Sequence, residues 1–254
     1  MRARKLSPMT GEDSDVFLTV LVPVHNEVAN LAPLYAALVE SISLLGLHFE
    51  LLFVDDGSSD GSAALVRELT ATDERVLLLQ HDRCRGKAAA LATGLQRVNG
   101  ELLIIIDADL QYDPRDLAVL VEGLQSGHDV VSGARAMRLD SRGRRIGSRV
   151  HNAVVNLLAG TRFEDHFSGL KGVRVASLRE LDLECGRLRV LLAVAALSGL
   201  SVCEVPVRHH ERSRGSSRYG WRALSVLVGS DLRALLPLVG PLRWFGSADG
   251  ASPR

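Results

Sequence analysis

The chain has 254 residues, 46% of them hydrophobic and 24% charged, with 30 basic side chains balanced by 30 acidic ones. This length and composition suit one globular domain with an ordinary core, and the neutral balance excludes a generally nucleic-acid-binding surface. Three widely separated cysteines, Cys84, Cys185 and Cys203, lack metal-ligand spacing and imply no disulfide framework, as in a reducing compartment.

The first 15 residues are polar, lack the apolar core of a secretory signal and read as a loose terminus. Beyond them, short β-branched runs alternate with helical stretches, the pattern of βαβ units around a mostly parallel sheet. A strand over 17–22 runs into Pro23-Val24-His25-Asn26-Glu27 and a helix over 30–45. A strand over 50–54 ends on Asp55 and Asp56, then a turn leads to a helix over 61–71. Turn chemistry accounts for Gly57, Asp60 and Gly61, but not for two carboxylates set against a buried strand. A strand over 76–80 precedes Arg83-Cys84-Arg85-Gly86-Lys87 and an Ala-rich helix over 87–98, whose start suits an anion. The segment is not a P-loop, because His81 and Ala88 stand where that motif needs Gly and Ser or Thr. Gly100 is placed for a left-handed cap after that helix.

The strand over 101–106 contains five consecutive large aliphatics, so it is covered on both faces. It ends at once on Asp107-Ala108-Asp109-Leu110-Gln111, and ligands of open α/β sheets bind at the carboxyl ends of strands. Asp107 and Asp109 are expected to point the same way from an extended segment, where a hard divalent cation would relieve their repulsion. The alternative is a pair of solvated Asp at a strand end. Asp113 before Pro114, with Asp116 in the first turn, marks the start of a helix over 114–125.

A strand over 130–133 is followed by an Arg/Gly-rich stretch, 134–150, expected as a loop. Residues 135–149 carry six Arg against one Asp, which suits solvent, an anionic membrane surface or a phosphate. Helices over 147–159 and 189–198, a strand over 202–207 and a second basic loop over 208–221 complete the domain, taken as 16–222. Residues 223–246 read as an interfacial or docking helix. Its apolar part, 224–239, is interrupted by Asp231, Arg233 and Pro237 and is too short to span a bilayer. Residues 247–254 read as a disordered tail.

Taken in order, eight segments carry a resemblance. They are Pro23-Val-His-Asn-Glu27, Val54-Asp-Asp-Gly-Ser58, Gly86-Lys-Ala-Ala-Ala-Leu91, Asp107-Ala-Asp-Leu-Gln111, Gly133-Ala-Arg135, Asp165-His-Phe-Ser-Gly-Leu-Lys171, Glu204-Val-Pro-Val207 and Arg212-Ser-Arg-Gly-Ser-Ser-Arg218. Together they closely resemble the motifs of family 2 glycosyltransferases, whose fold is called GT-A, and most of all those of polyprenyl-phosphate (dolichol-phosphate) sugar transferases. The resemblance implies a single-domain α/β GT-A fold with a mostly parallel central sheet flanked by helices. It also implies that Pro23, His25, Glu27, Val54, Asp55 and Asp56 line the nucleotide base and ribose of a UDP- or GDP-sugar. Asp107, Ala108, Asp109 and Gln111 would hold the diphosphate, with Mg2+ or Mn2+ bound by Asp107, Asp109 and Gln111. Lys87 and Arg135 would add charge beside the donor, and Arg212 and Arg218 would meet phosphate oxygens. His25 stands where the family commonly has Tyr or Phe, and Arg218 where it commonly has Lys.

The implied reaction is an inverting, single in-line displacement, with Asp109, Asp165, Arg212 and Arg218 as the catalytic set. A hydroxyl acceptor needs a general base, for which Asp165 is the candidate, with loop anchoring as its other role. Polyprenyl phosphate is already an anionic nucleophile. The resemblance places the chain peripherally on the cytoplasmic face of a membrane, reached through its basic loops, an interfacial helix or a membrane-anchored partner. Two other readings are the same donor chemistry on a glycan or protein hydroxyl, and a nucleotide-sugar-binding subunit without turnover.

Overall fold

Strands that are apolar on both faces must be covered on both sides, and the whole architecture follows from that demand. The computed structural model describes residues 17–135, 142–181, 183, 187–211, 234–235 and 237–238. The expected terminus over 1–15, nearly all of the helix over 223–246, the tail over 247–254, and Arg212 and Arg218 lie outside these residues.

The elements run β1 (Leu18–Val24), α1 (Val28–Leu44), β2 (Phe49–Asp55), α2 (Ser62–Thr72), β3 (Val76–Gln80), α3 (Lys87–Leu95) and β4 (Leu102–Ile105). A 3-10 turn (Pro114–Asp116) leads into α4 (Leu117–Gln125), β5 (Val130–Arg135) and α5 (Arg142–Ala159). Then come β6 (Lys171–Arg174), α6 (Val175–Glu180), a second 3-10 turn (Arg187–Val190), α7 (Leu191–Leu197) and β7 (Val202–Val207). The seven strands form one sheet in the order β3-β2-β1-β4-β6-β5-β7. All neighbours pair in parallel except β6, which is antiparallel to both β4 and β5.

Alternate residues of β1 divide the core in two. Leu18, Val20 and Val22 pack with Leu31, Leu34 and Leu38 of α1 and with Leu117 and Leu120 of α4. Leu21 faces the other way, into a cluster with Leu52, Val54, Ala90 of α3, Val155 of α5 and Leu191 of α7. Each such fully buried aliphatic contributes about 1.5–3 kcal/mol, so the sheet is a firm base for the loops at its ends. Glu50, buried at the amino end of the sheet, is satisfied within the fold, accepting from Thr19 Oγ1 at 2.6 Å and Asn99 Nδ2 at 3.0 Å.

Several expected boundaries move. The strand over 101–106 is shorter, because the turn holding Asp109 begins just after it. The loop expected over 134–150 is largely strand and helix: Arg135 closes β5 and α5 begins at Arg142. β6 was not expected at all, since Lys-Gly-Val-Arg carries no apolar run. Gly100 is not a left-handed cap, for α3 ends earlier, at Leu95. Its lack of a side chain serves close approach, because a Cβ there would lie 2.7 Å from the Thr19 amide nitrogen.

Candidate active site

Successive crossovers run from β1 through β2 to β3 on one side, and then β4 pairs with the opposite edge of β1. That reversal opens a crevice at the carboxyl ends of β1 and β4, where ligands of doubly wound sheets bind. Asp55 and Asp107 lie at or just beyond the carboxyl ends of β2 and β4, and Arg135 ends β5. Because β6 runs the other way, its first residue reaches the same end: Lys171 pairs with Ile105 of β4 and Ser132 of β5. Lys171 is the functional candidate that reasoning over parallel βαβ units misses.

On the β1–β2 side, two loops are zipped together. Val28 N donates to Asp60 Oδ2 at 3.0 Å, Glu27 N to Ser62 Oγ at 3.0 Å and Asn26 N to Ser58 Oγ at 2.9 Å. The start of α1 is thus capped from the β2–α2 turn rather than by its own side chains, and Asn26 takes a left-handed φ of 56° to permit it. Glu27 accepts from Asn30 Nδ2 at 2.6 Å. His25 Nδ1 lies 2.7 Å from the Asp56 carbonyl oxygen.

Asp56 accepts from His81 Nδ1 at 2.8 Å, Arg85 N at 2.8 Å, Gly86 N at 2.7 Å and Cys84 Sγ at 3.3 Å. Burial alone would push this carboxyl up, but those hydrogen bonds outweigh it and hold the group below its ordinary value. The carboxylate thus moulds the loop 81–87, with two donors on each of its oxygens. The Val54 side chain is fully buried in the core beneath the crevice. Asp55 is also buried, and while Oδ2 accepts from Ser58 N at 3.2 Å, Oδ1 has no hydrogen-bond partner among the described residues. Pro23 sits beside Val54 in the β1–β2 register.

Beyond β4 the chain does not stay extended. Leu110 has φ 58° and Asp109 Oδ1 accepts from Gln111 N at 3.2 Å, so Asp109 sits in a tight turn and not on the pleat of an extended strand. Lys87 at the start of α3 forms an ion pair with Asp107 through Nζ and Oδ1. Gly169 packs against the Asp107 carboxyl and Tyr112, leaving no room for a Cβ. The turn is strapped from the far side of the sheet. His210 N donates to Gln111 O at 2.8 Å, Tyr112 bridges to His209, and Arg208 donates to Asp116 Oδ1 through Nε at 2.9 Å and NH2 at 2.6 Å.

At the β5 end, Arg135 donates to Asp165 through Nε at 2.6 Å and NH2 at 3.0 Å, a bidentate and largely buried pair. This geometry does not fit the expectation that Asp165 is a general base, because the guanidinium occupies both of its oxygens. Arg135 stands on the Asp165 side of the crevice. Glu204 on β7 accepts from Glu164 N at 2.7 Å and Asp165 N at 2.8 Å, fixing the loop that carries Asp165. Burial pushes the Glu204 carboxyl up. Lys171 donates to the Ser168 carbonyl between the two halves of the site. Burial, helped by the charge of Lys87, pulls its amine down to about 8, while Asp165 and Asp107 oppose the fall.

Behind this loop, His166 is fully buried with Nε2 2.9 Å from Asn156 Oδ1. Burial, and then the charge of Lys171, lower it from 6.5 to about 4. The unfolded chain therefore binds the extra proton first. Acidification from about pH 6.5 to about pH 4 is expected to cost up to about 3 kcal/mol of stability at this site. Urea denaturation of His166→Gln across that range should show a flatter pH profile than the parent chain.

Residues 19–180 match the family described as Glycosyl transferase family 2. The chain belongs to that family. The chain is similar to undecaprenyl-phosphate 4-deoxy-4-formamido-L-arabinose transferases. It is 34% identical to that of Edwardsiella ictaluri over 84% of this chain and 66% of the relative, and 36% identical to that of Pseudomonas aeruginosa over 83% and 62%. To that of Shewanella sediminis it is 32% identical over 92% and 70%. The chain thus spans about two thirds of the length of these relatives. Among solved structures it resembles glucosyl-3-phosphoglycerate synthase from Mycobacterium tuberculosis in complex with Mn2+, UDP and glucosyl-3-phosphoglycerate (TM-score 0.63, 20% identity, 88% of this chain and 80% of that one). It also resembles a mannosyltransferase from Pyrobaculum calidifontis in complex with GDP-Man and Mn2+ (TM-score 0.61, 22% identity, 93% and 65%). These likenesses establish the GT-A fold.

Two sets of side chains among the described residues could offer donors to a cation. Asp107, Asp109 and Gln111 carry side-chain oxygens and are partly open to solvent, and oxygen donors are the chemistry of Mg2+ or Mn2+. His25, Asp56 and Cys84 also bring one ligand atom each within 4.8 Å of one another. That second set suits a hard ion poorly, since it mixes sulfur and nitrogen with a carboxylate already receiving four hydrogen bonds. Among the described residues no helix is long and apolar enough to cross a membrane.

Proposed function

We propose that this chain transfers a sugar, with inversion, from a UDP- or GDP-sugar to polyprenyl phosphate at the cytoplasmic face of a membrane on which it lies peripherally. The observation that carries this reading is the division of charge at one sheet end. Asp107, Asp109 and Gln111 lie on the β4 side, and Arg135 with Asp165 lies on the β5 side, with Lys171 between them. A bound Mg2+ or Mn2+ would supply stabilisation of the negative charge that grows on the leaving nucleoside diphosphate. Lys87 adds a second positive group there. The orphaned buried oxygen of Asp55 supports a polar ligand group, such as a base or ribose donor, in the β1–β2 crevice.

The state of Asp165 favours an anionic acceptor over a hydroxyl. A hydroxyl needs its proton removed, and Asp165 is held by Arg135, whereas a phosphate oxygen attacks without a base. Names of the similar proteins point the same way. The test is incubation of the protein with radiolabelled nucleotide sugar, polyprenyl phosphate and Mg2+ or Mn2+. A lipid-linked product of inverted anomeric configuration that vanishes with a chelator is expected. Transfer to a glycan hydroxyl, with lipid phosphate ignored, would decide for the hydroxyl acceptor. Metal-dependent nucleotide binding with no transfer to any acceptor would make the chain a binding subunit.

A further inference from the structure

We propose that His25, Asp56 and Cys84 bind a borderline-soft divalent cation such as Zn2+, and that the bound ion closes the crevice to the nucleotide; this second part rests on the nucleotide-sugar reading above. One ligand atom from each of the three lies within 4.8 Å of the others. Cys84 Sγ is 3.3 Å from Asp56 Oδ2. A tetrahedral ion with a sulfur ligand at about 2.3 Å and an oxygen ligand at about 2.0 Å separates the two by about 3.5 Å. The thiol and the carboxylate therefore already stand at the required spacing. Imidazole, thiolate and carboxylate are the donors that Zn2+ takes, and the last two balance its charge. Mg2+ and Mn2+ prefer oxygen donors such as those of Asp107 and Asp109.

The surroundings of the three side chains are those of a metal site. A metal-binding imidazole commonly donates its other N–H to a carbonyl, and a carboxylate beside it on the metal is itself hydrogen-bonded. His25 Nδ1 donates to the Asp56 carbonyl oxygen at 2.7 Å, which leaves the ring lone pair on Nε2. There it meets the exposed Asn26 amide at 3.2 Å, a contact that an ion can displace. Asp56 Oδ1 is fixed by the buried His81 and by Arg85 N, both at 2.8 Å. Of the two donors on Oδ2, one is the Cys84 thiol itself. Coordination sends the thiol proton to solvent, so a lone pair on Oδ2 is released as the sulfur becomes a ligand. The Cys84 backbone is held too, because Gly57 has φ 65° and a Cβ there would lie 2.6 Å from Cys84 N. Cys84 is exposed and His25 half-buried, which gives an ion a way in. His25 stands where the family commonly has Tyr or Phe, so its nitrogen belongs to this chain and not to the fold. In the nucleotide-sugar reading His25 and Asp56 line the base and ribose, so ion and nucleotide exclude one another.

The test uses Co2+ as the probe, because a thiolate bound to it absorbs in the near ultraviolet. Titration of the full chain with Co2+ in excess Mg2+ should produce that band, and Zn2+ should bleach it. C84A should lose the band and bind Zn2+ at least about a hundredfold more weakly, beyond the cost of losing an outer-shell partner. C203A, which removes a cysteine of β7, should keep it. In the parent chain, with no variant needed, Zn2+ but not Mg2+ should slow alkylation of Cys84, read by peptide mass. A band that persists in C84A, or alkylation of Cys84 that ignores Zn2+, would overturn the site. UDP or GDP with Mg2+ should displace Co2+ and abolish the band; nucleotide and Co2+ bound together would overturn the exclusion. Absence of any UDP or GDP binding would instead strike the functional reading and leave the cobalt band standing.

Discussion

Asp109→Ala and Asp107→Ala should each lower sugar transfer by about a hundredfold to a thousandfold. A metal that neutralises the leaving diphosphate is worth several kcal/mol of transition-state stabilisation, and each 1.36 kcal/mol is about tenfold in rate. The two variants should differ in one respect. Asp107 is also the ion-pair partner of Lys87, so its loss frees an ammonium to meet the diphosphate directly and part of the donor affinity should survive without metal. Asp109, whose Oδ1 accepts from the Gln111 amide within its own turn, should instead lose metal and donor affinity together. Nucleotide binding by calorimetry, with and without Mn2+, separates the cases, and full metal-dependent activity in Asp109→Ala would remove the metal assignment. Glu50→Gln is the control. It alters a buried carboxylate at the opposite end of the sheet, and should lower stability while leaving the metal dependence of the surviving activity unchanged.

The second large effect lies at Arg135 and Asp165. Arg135→Ala should destabilise the fold by about 3–5 kcal/mol, because it leaves a carboxylate that is almost wholly buried without its partner. Replacing both members with apolar residues, as in R135M/D165L, should recover most of that loss, since the charges and their desolvation cost go together. Transfer should not recover, if Arg135 meets the acceptor phosphate when the pair opens. Denaturation midpoints and transfer assays on the same three proteins distinguish a structural pair from a working one. A double variant that regained both stability and transfer would confine Arg135 to a structural role.

Much of this arrangement was legible along the chain. The aliphatic run before Asp107, the Gly-Lys start of α3 and the Asp113-Pro114 helix start each owe their meaning to local chemistry, and the structure has the expected strand, helix and turn in those places. Lys171 and Glu204 were present in the quoted motifs but carried no sign of their roles. Lys171 matters because a short antiparallel strand turns its first residue toward the ligand end, and a four-residue strand of mixed polarity has no periodicity to announce it. Asp56 and Asp165 stand out in the sequence, but the partners that enclose them do not. A sequence shows a carboxylate, but not the number of donors that already surround it.

The sequence by itself determined the family, the α/β class and the ends of the strands at which chemistry must lie, because burial period and turn residues are properties of neighbouring positions. Only the tertiary structure decided which carboxylates the fold encloses. Asp56 closes on the loop 81–87 and Asp165 on Arg135, while Asp107, paired with Lys87, and Asp109 stay partly exposed. Likewise, only packing showed that the arginine-rich stretch after β5 becomes a helix with one face in the core and an apolar stripe outside. Both outcomes depend on partners about 20 to 40 residues away or more. Contacts at that separation are set by how helices and strands pack, and local preference along the chain does not contain them.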